Sequence, residues 1–352
     1  MKATQQSRRG GRLADRFTVL LATSFLFLGG TAGCRSESEV VVYTALDEEF
    51  SKPIFAEFSR ETGVLVLPKF DTESTKTVGL TNVIIAERER PRCDLFWKNE
   101  ILNTLRLARL GLLRPYKSPA AADYPATARS PDGLWHGFAA RARILIVNTN
   151  RIGEERHPKS IEALRDPQWY EQCAIAKPLF GTTSTHAACL FSAWGDEEAK
   201  DFFLGVKRNA RIMAGNKQVA QAVAAGTLAF GLTDTDDAIV EIERGMPVAI
   251  VYPDQREGEL GTLFIPNTLA LIKDSPNPEA AEQLVDYLLS SDVERRLADG
   301  PSAQIPLRKG VPASPRAKTP SDVRAMVVDW NAAAEKWDTA AEFLAEEFAA
   351  AP

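Results

Sequence analysis

The chain has 352 residues, 45% of them hydrophobic and 25% charged, and a formal net charge of −5 at pH 7. That length allows two domains, and the composition is that of an ordinary globular protein rather than a disordered or membrane-embedded one. An acidic balance argues against nucleic acid as a partner and against a polybasic grip on anionic lipid.

The N-terminus carries the first specific signal. A basic stretch with Arg8, Arg9, Arg12 and Arg16 precedes the apolar run Phe17–Leu28, which is too short to span a bilayer and is followed by small residues. This is the layout of a signal peptide. Thr31-Ala32-Gly33-Cys34 resembles a bacterial lipobox, with Thr31 where Leu is usual. Residues 1–33 are therefore expected to be removed and Cys34 acylated, which places the protein in the periplasm or cell envelope on a lipid anchor. Cleavage by a general signal peptidase, without the anchor, is the rival expectation. Cys93, Cys173 and Cys189 remain, and core packing is the default for all three, with Cys173–Cys189 as a conceivable pair. No Cys-x-x-Cys or His-Glu-x-x-His pattern accompanies the three histidines, so a zinc site is not expected.

From residue 40 onward, strand and helix patterns alternate. Val40–Thr44 reads as a strand, followed by helical spacing at Phe50, Ile54, Phe55 and Phe58 and a stop at Thr62-Gly63. Val64–Leu67 is the next strand, residues 76–90 a helix, Cys93–Trp97 a short buried strand, and Glu100–Leu110 a helix ending at Gly111. Residues 115–133 read as a surface connection. Ile144–Val147 opens a second α/β region with strands expected at Cys173–Ala176, Ala210–Met213, Leu228–Leu232 and Val248–Tyr252. Helices are expected at 185–194, 197–208, 217–225 and 237–244. Thr262–Ile272 follows as a long strand, Asn277–Leu289 as an amphipathic helix, and 323–349 as a C-terminal helix after a polar segment at 310–322. Strand–helix–strand units of this kind imply parallel sheets covered by helices, an α/β class.

Ligands of open α/β sheets bind beyond the carboxyl ends of the strands, so the residues there are the candidates for function. Four clusters stand out: Tyr43–Asp47 with Thr44 and Asp47; Trp97–Glu100 with Asn99 and Glu100; Phe180–His186 with Thr182, Thr183, Ser184 and Thr185; and Thr233–Asp237 with Asp234, Asp236 and Asp237. Hydroxyls and free N–H groups at a helix start make an anion site, or simply an ordinary N-cap. Three converging carboxylates would need a hard metal or an amine, or they cap a helix and sit at its positive end. Arg141 and Arg143 share one face of an alternating run, able to hold an anion or to form ion pairs. No Walker loop, Gly-x-Gly-x-x-Gly or Gly-x-Ser-x-Gly motif is present, and a non-enzymatic binder is expected. The alternative of another class is a metal-dependent hydrolase using the Asp234–Asp237 cluster.

Several stretches, taken in order, resemble the bacterial extracellular solute-binding proteins of the ferric-iron-binding type, the binding components of ABC importers. They are Val41–Ala45, Phe55–Gly63, Cys93–Trp97, Gly111–Pro115, Phe230–Leu232 and Pro276–Ala281. The resemblance implies a type II periplasmic-binding-protein fold, with two lobes, each a mixed, mostly parallel sheet flanked by helices, joined by two crossover strands. It implies lobe one at 38–142 plus 262–310, lobe two at 143–261, and a C-terminal helical extension at 311–352. The crossings would lie near Arg141–Val147 and Gly258–Phe264. It further implies a monomer that captures a small ligand in an interlobe cleft and delivers it to permease and ATPase subunits.

The positions matching the family's ferric-binding Tyr-Tyr pair are Asp236 and Asp237 here, with Asp47 in place of a His, and Asn99 or Glu100 in place of a Glu. Asp47, Glu100, Asp236 and Asp237 are thus the expected metal ligands. Thr182–Thr185 and Arg141 match the site of the helper anion. Two ligands fit these charges: a metal ion such as iron with a synergistic anion, or an organic anion or zwitterion such as an amino acid or aminophosphonate.

Overall fold

A computed structural model of the chain describes residues 38–71 and 79–350, so the expected signal segment and Cys34 lie outside the described residues. The β-branched run after residue 38 forms β1 (Glu39–Thr44), paired in parallel with β2 (Leu65–Phe70) and β3 (Leu95–Lys98). Between β1 and β2, α1 (Glu48–Thr62) buries Ile54, Phe55 and Phe58. It stops at Gly63, whose φ of 74° is the left-handed cap that glycine adopts without a Cβ penalty. Next come α2 (Gly79–Ala86), α3 (Leu102–Arg109) and the two-residue β4 (Leu113–Arg114). Residues 115–133 are more than a surface connection, because short 3-10 turns there bury Ala121, Tyr124 and Ala128.

The strand expected at Ile144–Val147 is the second half of β5 (His136–Asn148), which is buried along all thirteen residues. Its first half escapes sequence reading because Ala139, Ala140, Arg141, Ala142 and Arg143 lack an apolar signature; the two arginines are buried in ion pairs with Asp236 and Asp234. The second region then builds β6 (Cys173–Ala176), α4 (Gly181–Trp194), α5 (Asp196–Asn209), β7 (Arg211–Met213), α6 (Asn216–Ala224), β8 (Phe230–Asp234), α7 (Thr235–Glu243) and β9 (Val248–Val251). The chain returns through β10 (Phe264–Ile272) to α8 (Pro278–Leu288) and α9 (Ser291–Asp299). Helix α9 was not foreseen, although Ser290 caps it by accepting the Val293 N–H. The single helix expected over 323–349 is instead two, α10 (Trp330–Glu335) and α11 (Trp337–Phe348).

The strand order is β2-β1-β3-β10-β5-β8-β6-β7, with β4 on β10 and β9 on β5. Parallel pairs lie outermost, and every antiparallel one is made by β10 or β5, the two strands adjacent at the centre. The first residues of β5 pair with β10, from His136 to Ala142, and its last with β8 and β9, from Arg143 to Asn148. Alternation sends side chains to opposite faces. Val40 and Val42 pack with Phe58, Leu284 and Leu288, while Tyr43 joins Phe96, Leu80 and Leu105. Likewise Leu145 and Val147 pack with Phe191 and Phe230, and Ile144 and Ile146 with Val219 and Ile239. Each group of strands is therefore covered on both faces, as parallel sheets require. Cys93, Cys173 and Cys189 are buried free thiols within these layers, and burial pushes Cys173 up to about 12. No helix among the described residues is long and apolar enough to cross a membrane.

Where the chain passes between the two groups, β5 breaks register against β10. Ala139 has a φ of 41°, and its N–H is held by the buried carboxylate of Glu294 (2.9 Å), which also accepts the Leu307 and Arg308 N–H groups. Asn267 donates to the Ala139 carbonyl and accepts from Arg141. The C-terminal helices pack across helices of both groups: α10 on α3 and α4, and α11 on α4 and α5. Asp329 caps α10 by accepting the Asn331 and Ala332 N–H groups. Asp329→Ala is expected to lower stability by about 1 kcal/mol, read as a shift in the urea midpoint.

Candidate functional site

The carboxyl ends of β1, β3, β6, β7 and β8 open onto one cleft of ≈ 600 Å³, its open mouth included. Asp47 and Asn99 line it from the first group of strands. From the second come Lys177, Gly181, Thr182, Thr183, Asn216, Lys217, Asp234, Asp236 and Asp237, with Arg141 at the crossing.

At its base lies a closed polar network. Arg143 stands directly opposite Asp234 in the β5–β8 ladder and pairs with it at 2.8 Å. The same guanidinium donates to Thr182 Oγ1 (3.1 Å), Thr183 Oγ1 (3.1 Å) and Asn216 Oδ1 (3.0 Å). Thr182 donates to Asp234 at 2.6 Å, and the Asn216 amide to Asp234 at 3.0 Å. The Arg143 side chain is 0% exposed and that of Asp234 4%, so nearly every polar atom here is satisfied by another member.

Nearer the opening, Arg141 pairs with Asp236 at 3.2 Å, both nearly buried. Burial opposes the charge on Arg141, but Asp236, Asp234, Asp47 and Asp237 together outweigh it and hold the guanidinium above its ordinary value. Burial pushes Asp236 up to about 6 against the pull of Arg141, and Asp234 and Asp47 add to the rise. One carboxylate oxygen from each of Asp234, Asp236 and Asp237 lies within 4.8 Å of the others. Across the opening, Lys217 comes within 3.7 Å of Glu49.

Several expected site residues turn out to face elsewhere. Glu100, expected as a metal ligand, lies outside the cleft lining. Its buried carboxylate caps α3, accepting the Leu102 N–H at 2.6 Å, the Asn103 amide at 3.0 Å and the Thr185 hydroxyl at 3.1 Å. Thr185 is accordingly committed to Glu100, and Ser184 to the Gly181 carbonyl. Thr44 accepts the Leu46 N–H. Helix α4 starts at Gly181, so the hydroxyls belong to its first turn, and it is Arg143 rather than Arg141 that touches Thr182 and Thr183. Asp234 is consumed by Arg143, Thr182 and Asn216, which leaves it poorly placed as a hydrolase's metal ligand. Sequence reading missed Asn216, Lys217 and Lys177. All three follow strand ends, after β7 and β6, and the rule that found the other clusters would have found them.

Comparison with known proteins agrees with this architecture. A family profile described as bacterial extracellular solute-binding protein matches residues 104–336. Iron uptake protein A2 of Synechocystis sp. is 30% identical over 223 residues, 60% of this chain and 63% of that protein, so the match spans under two thirds of that relative's length. Iron uptake protein A1 of the same organism is 26% identical over 289 residues, 78% of each chain. Among solved structures, iron-bound HitA from Pseudomonas aeruginosa aligns with a TM-score of 0.80 at 25% identity, over 88% of this chain and 99% of that one. The fold is that of the type II periplasmic binding proteins. With its profile match across well over half of its length, the chain belongs to the bacterial extracellular solute-binding protein family.

Proposed function

We propose that this protein is the substrate-binding component of an ABC importer and that it captures a metal ion, iron in the first instance, together with a helper anion. The observation that carries the reading is the convergence of Asp47, Asp236 and Asp237 on Arg141 beside the first turn of α4. Carboxylate oxygens suit a hard cation, and a helix N-terminus suits the anion that completes its coordination. The names of the iron uptake relatives point the same way. In this reading 38–142 plus 262–310 form one lobe and 143–261 the other, with 311–352 as an extension. The lobes close on the ligand as a clamp and release it to permease and ATPase subunits without turnover. Cys34 carries the lipid that keeps the monomer at the envelope.

A specific observation favours a second reading. No tyrosine lines the cleft among the described residues, and two of its aspartates are already paired with arginines. A zwitterion with its acid on Thr182 and Thr183 and its amine on Asp236 and Asp237 meets those charges equally well. Thermal unfolding separates the two. A ligand present at a hundred times its Kd should stabilise the protein by about 2.7 kcal/mol. Ferric ion with citrate or carbonate should raise the Tm, while 2-aminoethylphosphonate and amino acids leave it unchanged. The reverse pattern would replace iron with a zwitterion as the cargo.

A further inference from the structure

The first turns of helix α4 serve two contacts. Thr182 and Thr183 line the cleft, and Thr185, nearly one turn on, reaches Glu100 of the first group of strands. Both Thr185 and Glu100 are 0% exposed. Around this contact Ala188 and Cys189 of α4 pack with Leu102 and Leu105 of α3. Glu100 is itself rigidly held, because its carboxylate takes the first N–H groups of α3 and its carbonyl accepts from Thr268, whose hydroxyl meets that of Thr104 at 2.7 Å. Among the described residues, Thr185 is the partner that this carboxylate draws from the second group of strands.

We propose that the Thr185–Glu100 hydrogen bond is a latch between the two halves: it holds α4 against α3 and so sets how far the cleft closes on its ligand. Thr185 and Glu100 are positioning residues that never touch the ligand. A buried carboxylate that loses a donor cannot recruit water cheaply, so breaking this bond biases the protein toward arrangements in which α4 moves away from α3. The inference rests on the clamp-like closure proposed above.

The test uses Thr185→Val, which keeps the shape and removes the hydroxyl, and Thr185→Ser, which restores it. Lys52 and Ile242 are exposed on α1 and α7, the helices that flank the groove beside Asp47 and Asp236, and can be replaced by cysteine and spin-labelled in protein lacking residues 1–34, since Cys93, Cys173 and Cys189 are buried. In the ligand-free protein, Thr185→Val is expected to lengthen and broaden the distance distribution between the labels. Release of ferric ion loaded with citrate, followed by transfer to a chelator, should become about tenfold faster, the factor a hydrogen bond to a charged group is worth. Thr185→Ser should restore both. A lowered melting temperature with unchanged distances would mean that the bond serves folding alone, and would overturn the latch. If ferric citrate fails to bind the wild-type protein, the iron reading falls, while the ligand-free distances still decide the latch.

Discussion

Replacing Arg143 with methionine is expected to cost about 3–5 kcal/mol of folding stability, measured as the change in urea unfolding free energy. The guanidinium is wholly buried, pairs with Asp234 and donates to Thr182, Thr183 and Asn216. Methionine fills much of the volume but takes the paired guanidinium from the Asp234 carboxylate, and Thr183 loses its donor while Thr182 keeps the one from the Asn216 amide. The cost is therefore that of stranding a charge, which exceeds the net worth of the pair. It follows that Arg143→Met/Asp234→Leu should recover at least half of the loss, because an apolar pair of similar size strands no charge. A single-variant cost below about 1 kcal/mol would show that water reaches the site and the network is open. Ligand binding should fail in the single variant even where it folds, since Thr182 and Thr183 lose the group that orients them.

The second large effect concerns Asp236 and has a pH signature. Its folded value, pushed up to about 6 chiefly by burial, lies above the ordinary 3.8. An acid whose pKa rises on folding favours the folded state while protonated. Its contribution is complete below pH 3.8 and is lost as pH rises through 6. Asp236→Asn, which mimics the protonated form, should therefore raise the Tm of the ligand-free protein at pH 7.5 and change it little at pH 4. Cation binding runs the opposite way, since it needs the ionised carboxylate. The stabilisation by ferric ion and citrate should fade as pH falls through 6 in the wild type, and be lost by a hundredfold or more in affinity in Asp236→Asn at any pH. A variant that binds iron as well as the wild type would remove Asp236 from the ligand set. Binding that is flat between pH 5 and 7 would show that the carboxylate titrates elsewhere.

These two residues illustrate how far the sequence could be read. Asp236 was found because it follows a strand, and its matching position in ferric-binding relatives named its role as a candidate. Arg143 was seen only as a partner of Arg141 on one face of a strand. That it, rather than Arg141, serves Thr182 and Thr183 depends on the exact pairing of β5 with β8, which places it opposite Asp234. Glu100 shows the converse. It sits at a strand end as Asn99 does, but one position further on the chain turns into α3, and the carboxylate swings to the helix's unpaired N–H groups.

By itself the sequence determined the alternation of strands and helices, the α/β class, the positions of the strand ends and hence the neighbourhood of the cleft. Hydrophobic period, glycine stops and family motifs are local properties, carried by residues within a few turns of one another. The tertiary structure alone decided which strand-end groups face the cleft and which are spent inside. That choice is made by contacts such as Arg143 with Asp234 and Thr185 with Glu100, which lie 91 and 85 residues apart in the chain. A buried polar atom must find its partner in space, and no local pattern records which one it found.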